Sequence, residues 1–155
     1  MNEEIKILLA DTNSSHEIIL EKILRELLQR FRSETGTIHI LDSEKNLLHL
    51  AAEVGLPPQM LEIVKTIPVG KGIAGQVVAQ NKPVTICNLQ TDSSGVAKPG
   101  ARQTGVGGAV CVPIRRGDKM LGTLGIGTTR EHEYSAAEIN LLQEISRLIG
   151  AHLNL

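Results

Sequence analysis

The most regular of the residues able to do chemistry are glycines, in the string Gly70-Lys71-Gly72-Ile73-Ala74-Gly75. The spacing is that of the dinucleotide fingerprint, where glycines let the backbone pass close to a pyrophosphate at a helix N-terminus. Asp92 falls near the distance expected of a ribose-binding acid. The context argues against a dinucleotide site. Only Ile67-Pro68-Val69 can form a strand before the string, and Pro83 follows too soon after Gly75 to leave a crossover helix between parallel strands. Two readings remain: a helix start whose free N–H groups and positive dipole end receive an anion, or glycines that only make the turn.

Other chemistries have less material. His39 and His49 would be neighbours across a hairpin, but two ligands do not close a metal site and no third ligand is placed beside them. His16, His132 and His152 sit near expected helix ends. Asp92, Ser94 and the histidines lack the elbow and fixed offsets of a nucleophile–base pair. Arg102 is available to pair with an acidic ligand. Cys87 and Cys111 are flanked by apolar residues and read as buried thiols of a reducing compartment.

The elements that must position these residues follow from periodicity. Ser14-x-x-Glu17 has the capping-box pattern, and Leu20, Ile23, Leu24, Leu27, Leu28 and Phe31 recur behind it at helical spacing, predicting a helix over about 15–33. Residues 5–10 suit a short helix or a strand. Two β-type runs, 37–42 and 47–52, flank Ser43-Glu44-Lys45-Asn46 as a hairpin. Pro57-Pro58 opens a short helix toward Lys65, and another runs to about Gln80. A strand is expected over 84–89 and a long irregular loop over 90–107, of the kind often used for binding. A second hairpin turns at Arg116-Gly117-Asp118. Ser135-x-x-Glu138 then caps a last helix carrying Ile139, Leu142, Ile145, Leu148, Ile149 and Leu153. Hairpins force antiparallel pairing, so the fold class is α+β with a central antiparallel sheet.

The two faces of that sheet are expected to differ. Pairing Ile40 with Leu48 and Ile38 with Leu50 puts four branched aliphatics on one face and Thr37, His39, Leu41, Leu47, His49 and Ala51 on the other. In the second hairpin Val110, Val112, Ile114, Leu124 and Ile126 share one side, and Ala109, Cys111, Thr123, Gly125 and Gly127 the other. Interiors do not tolerate unfilled volume without a penalty. The short helix after Gly75, the 90–107 loop or a small ligand must therefore occupy the space over the small side chains.

Composition narrows the function classes. The chain has 155 residues, enough for one domain, and a net charge of -1, so no global field draws it to phosphate polymers or anionic membranes. Phe31 and Tyr134 are its only aromatic rings besides histidine, leaving almost no stacking surface for bases; no nucleic-acid partner is expected. The first apolar run, residues 7–10, is far too short for a membrane span or a signal-peptide core, so no membrane partner is expected either and a cytoplasmic location is. Lys82, Lys98, Arg102, Arg115, Arg116 and Lys119 make residues 81–119 locally cationic.

Four segments in order, Ile67-Pro-Val-Gly-Lys-Gly-Ile-Ala-Gly75 with Asn81-Lys-Pro83, Val110-Cys-Val-Pro-Ile114, Met120-Leu-Gly122 and Tyr134-Ser-x-x-Glu138, together resemble a GAF domain over residues 14–155, with 1–13 as a helical extension. The resemblance implies an α+β sensor module whose sheet carries the terminal helices on one face and a ligand pocket with short helices and a long loop on the other. It also implies dimerisation through those helices, and backbone N–H groups at Ile73 and Ala74 that meet a ligand's phosphate in cyclic-nucleotide-binding members. This chain has Gly127-Thr128, Tyr134 and Ser135-Ala136 where those members carry Asn-Lys, Phe and Asp-Glu. Bilin- and haem-binding members need a Cys or His in the loop, and 90–107 holds neither. Free methionine-(R)-sulfoxide reductases share the Ile-Pro-Val-Gly start, but their cysteines would fall near Val64, at Ala74 and inside the loop, where this chain has none.

The resulting expectation is a non-catalytic sensor without cofactor or metal, binding a small anionic or zwitterionic metabolite. The expected contacts are Ile73 and Ala74 at the helix start, Thr37, His39, Cys111 and Thr123 on the sheet, and Asp92, Ser93 and Arg102 in the loop. Output would pass through a homodimer of terminal helices to a separate signalling protein, such as a histidine kinase or a transcription regulator. The alternative is a scaffold with a collapsed pocket that acts by dimerisation or docking.

Overall fold

Alternation of small and branched residues along the last two long strands sets the architecture. In the computed structural model, which describes residues 1–87 and 107–153, β1 (Thr35–Asp42), β2 (Leu47–Val54), β3 (Thr66–Pro68), β4 (Val84–Ile86), β5 (Ala109–Arg116) and β6 (Lys119–Gly127) form one antiparallel sheet in the order β3-β2-β1-β6-β5-β4. The helices are α1 (Asn2–Leu9), α2 (His16–Phe31), α3 (Pro58–Val64), α4 (Gly72–Gln80) and α5 (Ala136–His152). The main core lies between the sheet and the terminal helices. There Ile23, Leu24 and Leu27 of α2 and Leu142, Ile145 and Ile149 of α5 meet Ile38, Val112, Ile114 and Leu124. A smaller core of Leu48, Ile67, Ala74, Val77 and Cys111 lies under α3 and α4 on the opposite face.

The second hairpin follows the expected alternation. Val110 pairs with Ile126 and Val112 with Leu124, all four in the helical-layer core, while Cys111 pairs with Gly125 on the other face. The first hairpin departs from expectation. Ile38 pairs with Ala52 and His39 with Leu50, so a bulge at Ala51 shifts β2 by one residue and reverses its faces below that point. Leu48 consequently joins the α3/α4 side, opposite Leu41, and Ala52 takes the place expected for Leu50 in the main core. The same shift parts the two histidines: His39 is buried toward α3, and His49 stands exposed opposite Ile40, 4.0 Å from Asp42.

Residues 2–9 resolve as helix, with Ile5 buried against the main core. The cap of α2 is Ser15, whose Oγ accepts from the Ile18 N–H, and not Ser14. The Ser14 hydroxyl is taken by Asp11, which also receives the Asn13 N–H in a local turn. Ser135 and Glu138 form a complete capping box at α5. Among the described residues no helix is long and apolar enough to cross a membrane.

This packing predicts opposite fates for two aliphatic residues of the helical layer. Leu24→Ala, at a fully buried position, lowers unfolding stability by about 2–5 kcal/mol. Ile7→Ala, at a position 70% exposed, changes it by about 0.5 kcal/mol or less. Urea titrations with a common m-value check both.

Candidate functional site

The small-residue face of the sheet does not pack solid. A cavity of about 150 Å³ lies between it and the α3/α4 layer, lined from the sheet by Thr35, Thr37, His39, Cys111 and Gly125. Its roof is Leu56, Val64 and Ile67 around α3, and Gly72, Ile73 and Ala74 in the first turn of α4. The volume follows from the sequence. Across the row Thr37–Gly125–Cys111, three adjacent strands contribute a threonine, a hydrogen and a thiol, too little to fill the space beneath the helices above. A methyl at Gly125 would stand 3.3 Å from Thr37 Oγ1 and 3.5 Å from Cys111 Sγ.

The glycine string earns each of its glycines in the backbone. Gly70 and Gly72 have φ of 87° and 63°, in the left-handed region that other residues rarely adopt. At Gly75 a Cβ would lie 2.5 Å from the Pro68 carbonyl oxygen, so only hydrogen fits where α4 crosses the end of β3. Gln76 fixes the turn by donating from Nε2 to the Gly70 carbonyl at 2.8 Å. The sheet is antiparallel at every pairing, which removes the dinucleotide reading. The helix start itself remains suited to an anion: Lys71 at the N-cap offers no side-chain acceptor, and Ile73 and Ala74 border the cavity.

His39 is 2% exposed, and its Nε2 lies 2.8 Å from the Val64 carbonyl oxygen, tying the centre of the sheet to the end of α3. Cys111 is buried, and loss of water pushes its thiol up to about 12, with the Thr123 hydroxyl and the Val112 backbone acting in the opposite direction. Cys87 is exposed, and its S–H donates to Glu131 Oε1 at 3.6 Å. Local desolvation first, then the Glu131 carboxylate, hold its pKa above the ordinary thiol value. Both thiols are thus biased toward the protonated form.

Of the expected contacts, Thr37, His39, Ile73, Ala74 and Cys111 come together at the cavity. Thr123 does not line it. It sits one row along the sheet, paired with His39, buried to 1%. Asp92, Ser93 and Arg102 lie outside the described residues, as does most of the 90–107 loop. Sequence reasoning missed Thr35, Leu56, Val64 and Ile67. Thr35 lies just ahead of the strand start expected at Thr37, and the return of Leu56, Val64 and Ile67 over the β1–β2 hairpin becomes legible only once the strand order is known.

A family model of the GAF domain matches residues 13–154. The chain belongs to the GAF domain family. No curated protein matches it in sequence. Among solved structures it is similar to a free methionine-R-sulfoxide reductase from Neisseria meningitidis in complex with its substrate, with a TM-score of 0.79, 17% identity, and 97% of this chain and 84% of that one covered. It is also similar to the GAF domain of an Acinetobacter phosphoenolpyruvate-protein phosphotransferase, with a TM-score of 0.77, 17% identity, and coverage of 97% and 90%. A third is the GAF domain of A. aeolicus Nlh2 in an inactive state, with a TM-score of 0.75, 25% identity, and coverage of 97% and 91%. The Neisseria protein corrects one expectation. A GAF fold this similar belongs to an enzyme, so assigning the chain as not an enzyme does not stand.

The buried thiol gives a measurable pH signature. Native Cys111 holds its proton to about 12, whereas an unfolded thiol releases it near 9.0. Between those values the unfolded chain binds fewer protons, so this group's contribution to stability is full below about 9 and is lost as pH rises toward about 12. Urea titrations from about pH 8 to about pH 11 should show wild type losing stability more steeply than Cys111→Ala.

Proposed function

We propose that this GAF domain binds one small metabolite in the cavity beneath α4 and relays its occupancy through the terminal helices. The observation carrying the proposal is the cavity itself, left where two successive rows across three adjacent strands, Thr37–Gly125–Cys111 and Thr35–Gly127–Ala109, carry small groups. Its volume is about that of engineered apolar cavities that take up a benzene-sized molecule. Mostly apolar walls favour a short apolar body. The uncapped first turn of α4 and the Thr35 and Thr37 hydroxyls favour an anionic or zwitterionic head such as that of an amino acid. The cavity supports this reading over the collapsed-pocket alternative. Ile7 and Ile18, exposed on α1 and α2, are the apolar positions we assign to the expected homodimer or to a separate signalling protein.

A second reading is favoured by two observations together: the Neisseria reductase has this fold, and Cys111 lines this cavity. In that reading the metabolite is a free methionine sulfoxide, reduced to methionine by a dithiol that becomes a disulfide, with the sulfoxide oxygen and the two thiol protons leaving as water.

One titration tests occupancy. Free L-methionine-(R)-sulfoxide and a panel of amino and carboxylic acids are screened for a dose-dependent rise in melting temperature. A binder should raise it by several degrees in wild type and not in Gly125→Val, whose side chain fills the floor of the cavity. A binder equally effective on Gly125→Val, or no binder in the panel, overturns the cavity reading. Turnover of the sulfoxide with dithiothreitol, abolished by Cys111→Ser, establishes the reductase reading instead.

A further inference from the structure

Two consecutive arginines at the end of β5 hold helices on opposite faces of the sheet. On the cavity side, Arg115 donates from Nε to Asn81 Oδ1 at 2.7 Å and from its guanidinium to the Asn81 carbonyl at 2.9 Å. Asn81 is the left-handed C-cap of α4, so this fork closes the C-terminal end of the helix whose first turn roofs the cavity. On the other face, Arg116 donates from Nε to the Gly150 carbonyl in the last turn of α5 at 3.1 Å. Gly150 is where α5 touches the strand: a Cβ there would stand 2.1 Å from the Arg115 carbonyl oxygen and 3.4 Å from Ile114 Cγ2. Successive side chains on a strand point to opposite faces, so adjacent residues can act on both layers at once. The pairing with β6 shifts between Ile114 and Arg115, so the irregular end of the hairpin falls between the two helix ends.

We propose that Arg115 and Arg116 form a two-sided clasp coupling the C-terminal end of α4 to the last turn of α5, through which displacement of α4 by a ligand reaches the helical layer. The ligand part rests on the cavity reading above; the coupling of the two helices does not. α4 carries mostly small residues, with Ile73, Gln76 and Gln80 beside its glycines, alanines and valines, and has a small core beneath it, so it can shift as a short rod, and Asn81 is the end at which its shift is gripped. The locally cationic character of residues 115–119 then has a specific use at positions 115 and 116, satisfying the carbonyls at two helix ends.

Native-state amide exchange on the full chain tests the clasp without a ligand. Arg115→Met keeps the unbranched stem and removes every donor. Asn81→Gly keeps the left-handed cap and its carbonyl but removes Oδ1, and serves as the second variant should the first not fold. Both changes act on the hydrogen bonds at the end of α4, which run between Arg115 and Asn81 and not to α5. The expected result is faster exchange by about fivefold or more at the amides of residues 150–153, with the α2 amides of Leu24 and Leu27 unchanged. Unchanged α5 amides alongside faster exchange at the end of α4 overturn the proposal, and so does a uniform rise that includes α2, which would mean a purely structural role. The ligand arm uses free L-methionine-(R)-sulfoxide. If it raises the melting temperature, it should alter exchange at 150–153 in wild type and not in Arg115→Met; binding without that response also overturns the proposal. Failure of the compound to bind counts against the cavity reading alone, because the clasp is decided by the ligand-free exchange.

Discussion

The structure depends on a mismatch of side-chain volume across one sheet. Where β1, β6 and β5 lie side by side, the face toward the terminal helices presents Ile38, Leu124 and Val112, and the opposite face presents Thr37, Gly125 and Cys111. Branched aliphatics on one side draw α2 and α5 into close contact and supply most of the apolar burial. On the other side α3 and α4 pack on Leu48, Leu41, Val84 and Cys111, and the small groups at Thr37 and Gly125 leave the space between them unfilled. The cavity is the remainder of that geometry.

The same constraint separates what the sequence made legible from what it did not. The β5–β6 hairpin was readable because its alternation is unbroken from Ala109 to Ile114 and its turn is short, so residue parity fixes the face. The β1–β2 hairpin was not, because one unpaired alanine reverses parity halfway along β2. Ala51 and Ala52 carry too little hydrophobic contrast to reveal which of them is extra. His39 and His49 are neighbours in the expected register only; with His39 opposite Leu50 and His49 opposite Ile40 they are parted. The helix over residues 2–9 was ambiguous because a short apolar run satisfies both periods; its choice is made by Ile5 packing into the main core, a tertiary fact.

The candidate site divides along the same line. Thr37, Cys111, Ile73 and Ala74 were recoverable because strand alternation or a glycine turn placed them locally. Leu56, Val64 and Ile67 were not, since they arrive over the sheet from a segment whose position depends on β3 pairing with β2. Thr123 has the parity of the cavity face and pairs with His39, one row beyond the Thr37–Gly125–Cys111 floor, a position along the strand that face assignment does not specify.

Fold and function part company at the thiols. This fold is shared by a reductase in Neisseria and by GAF modules of other proteins, so chemistry has to be argued from residues. Here Cys111 occupies the cavity wall but is held protonated by its burial, and Cys87 is held protonated by local desolvation and the Glu131 carboxylate. A sulfoxide reductase needs a thiolate, so either thiol would require a nearby positive charge to become reactive. A ligand that brings an ammonium group into the cavity would supply one. Occupancy itself would then lower the thiol's pKa, and binding and reactivity at this site would be two consequences of one electrostatic change.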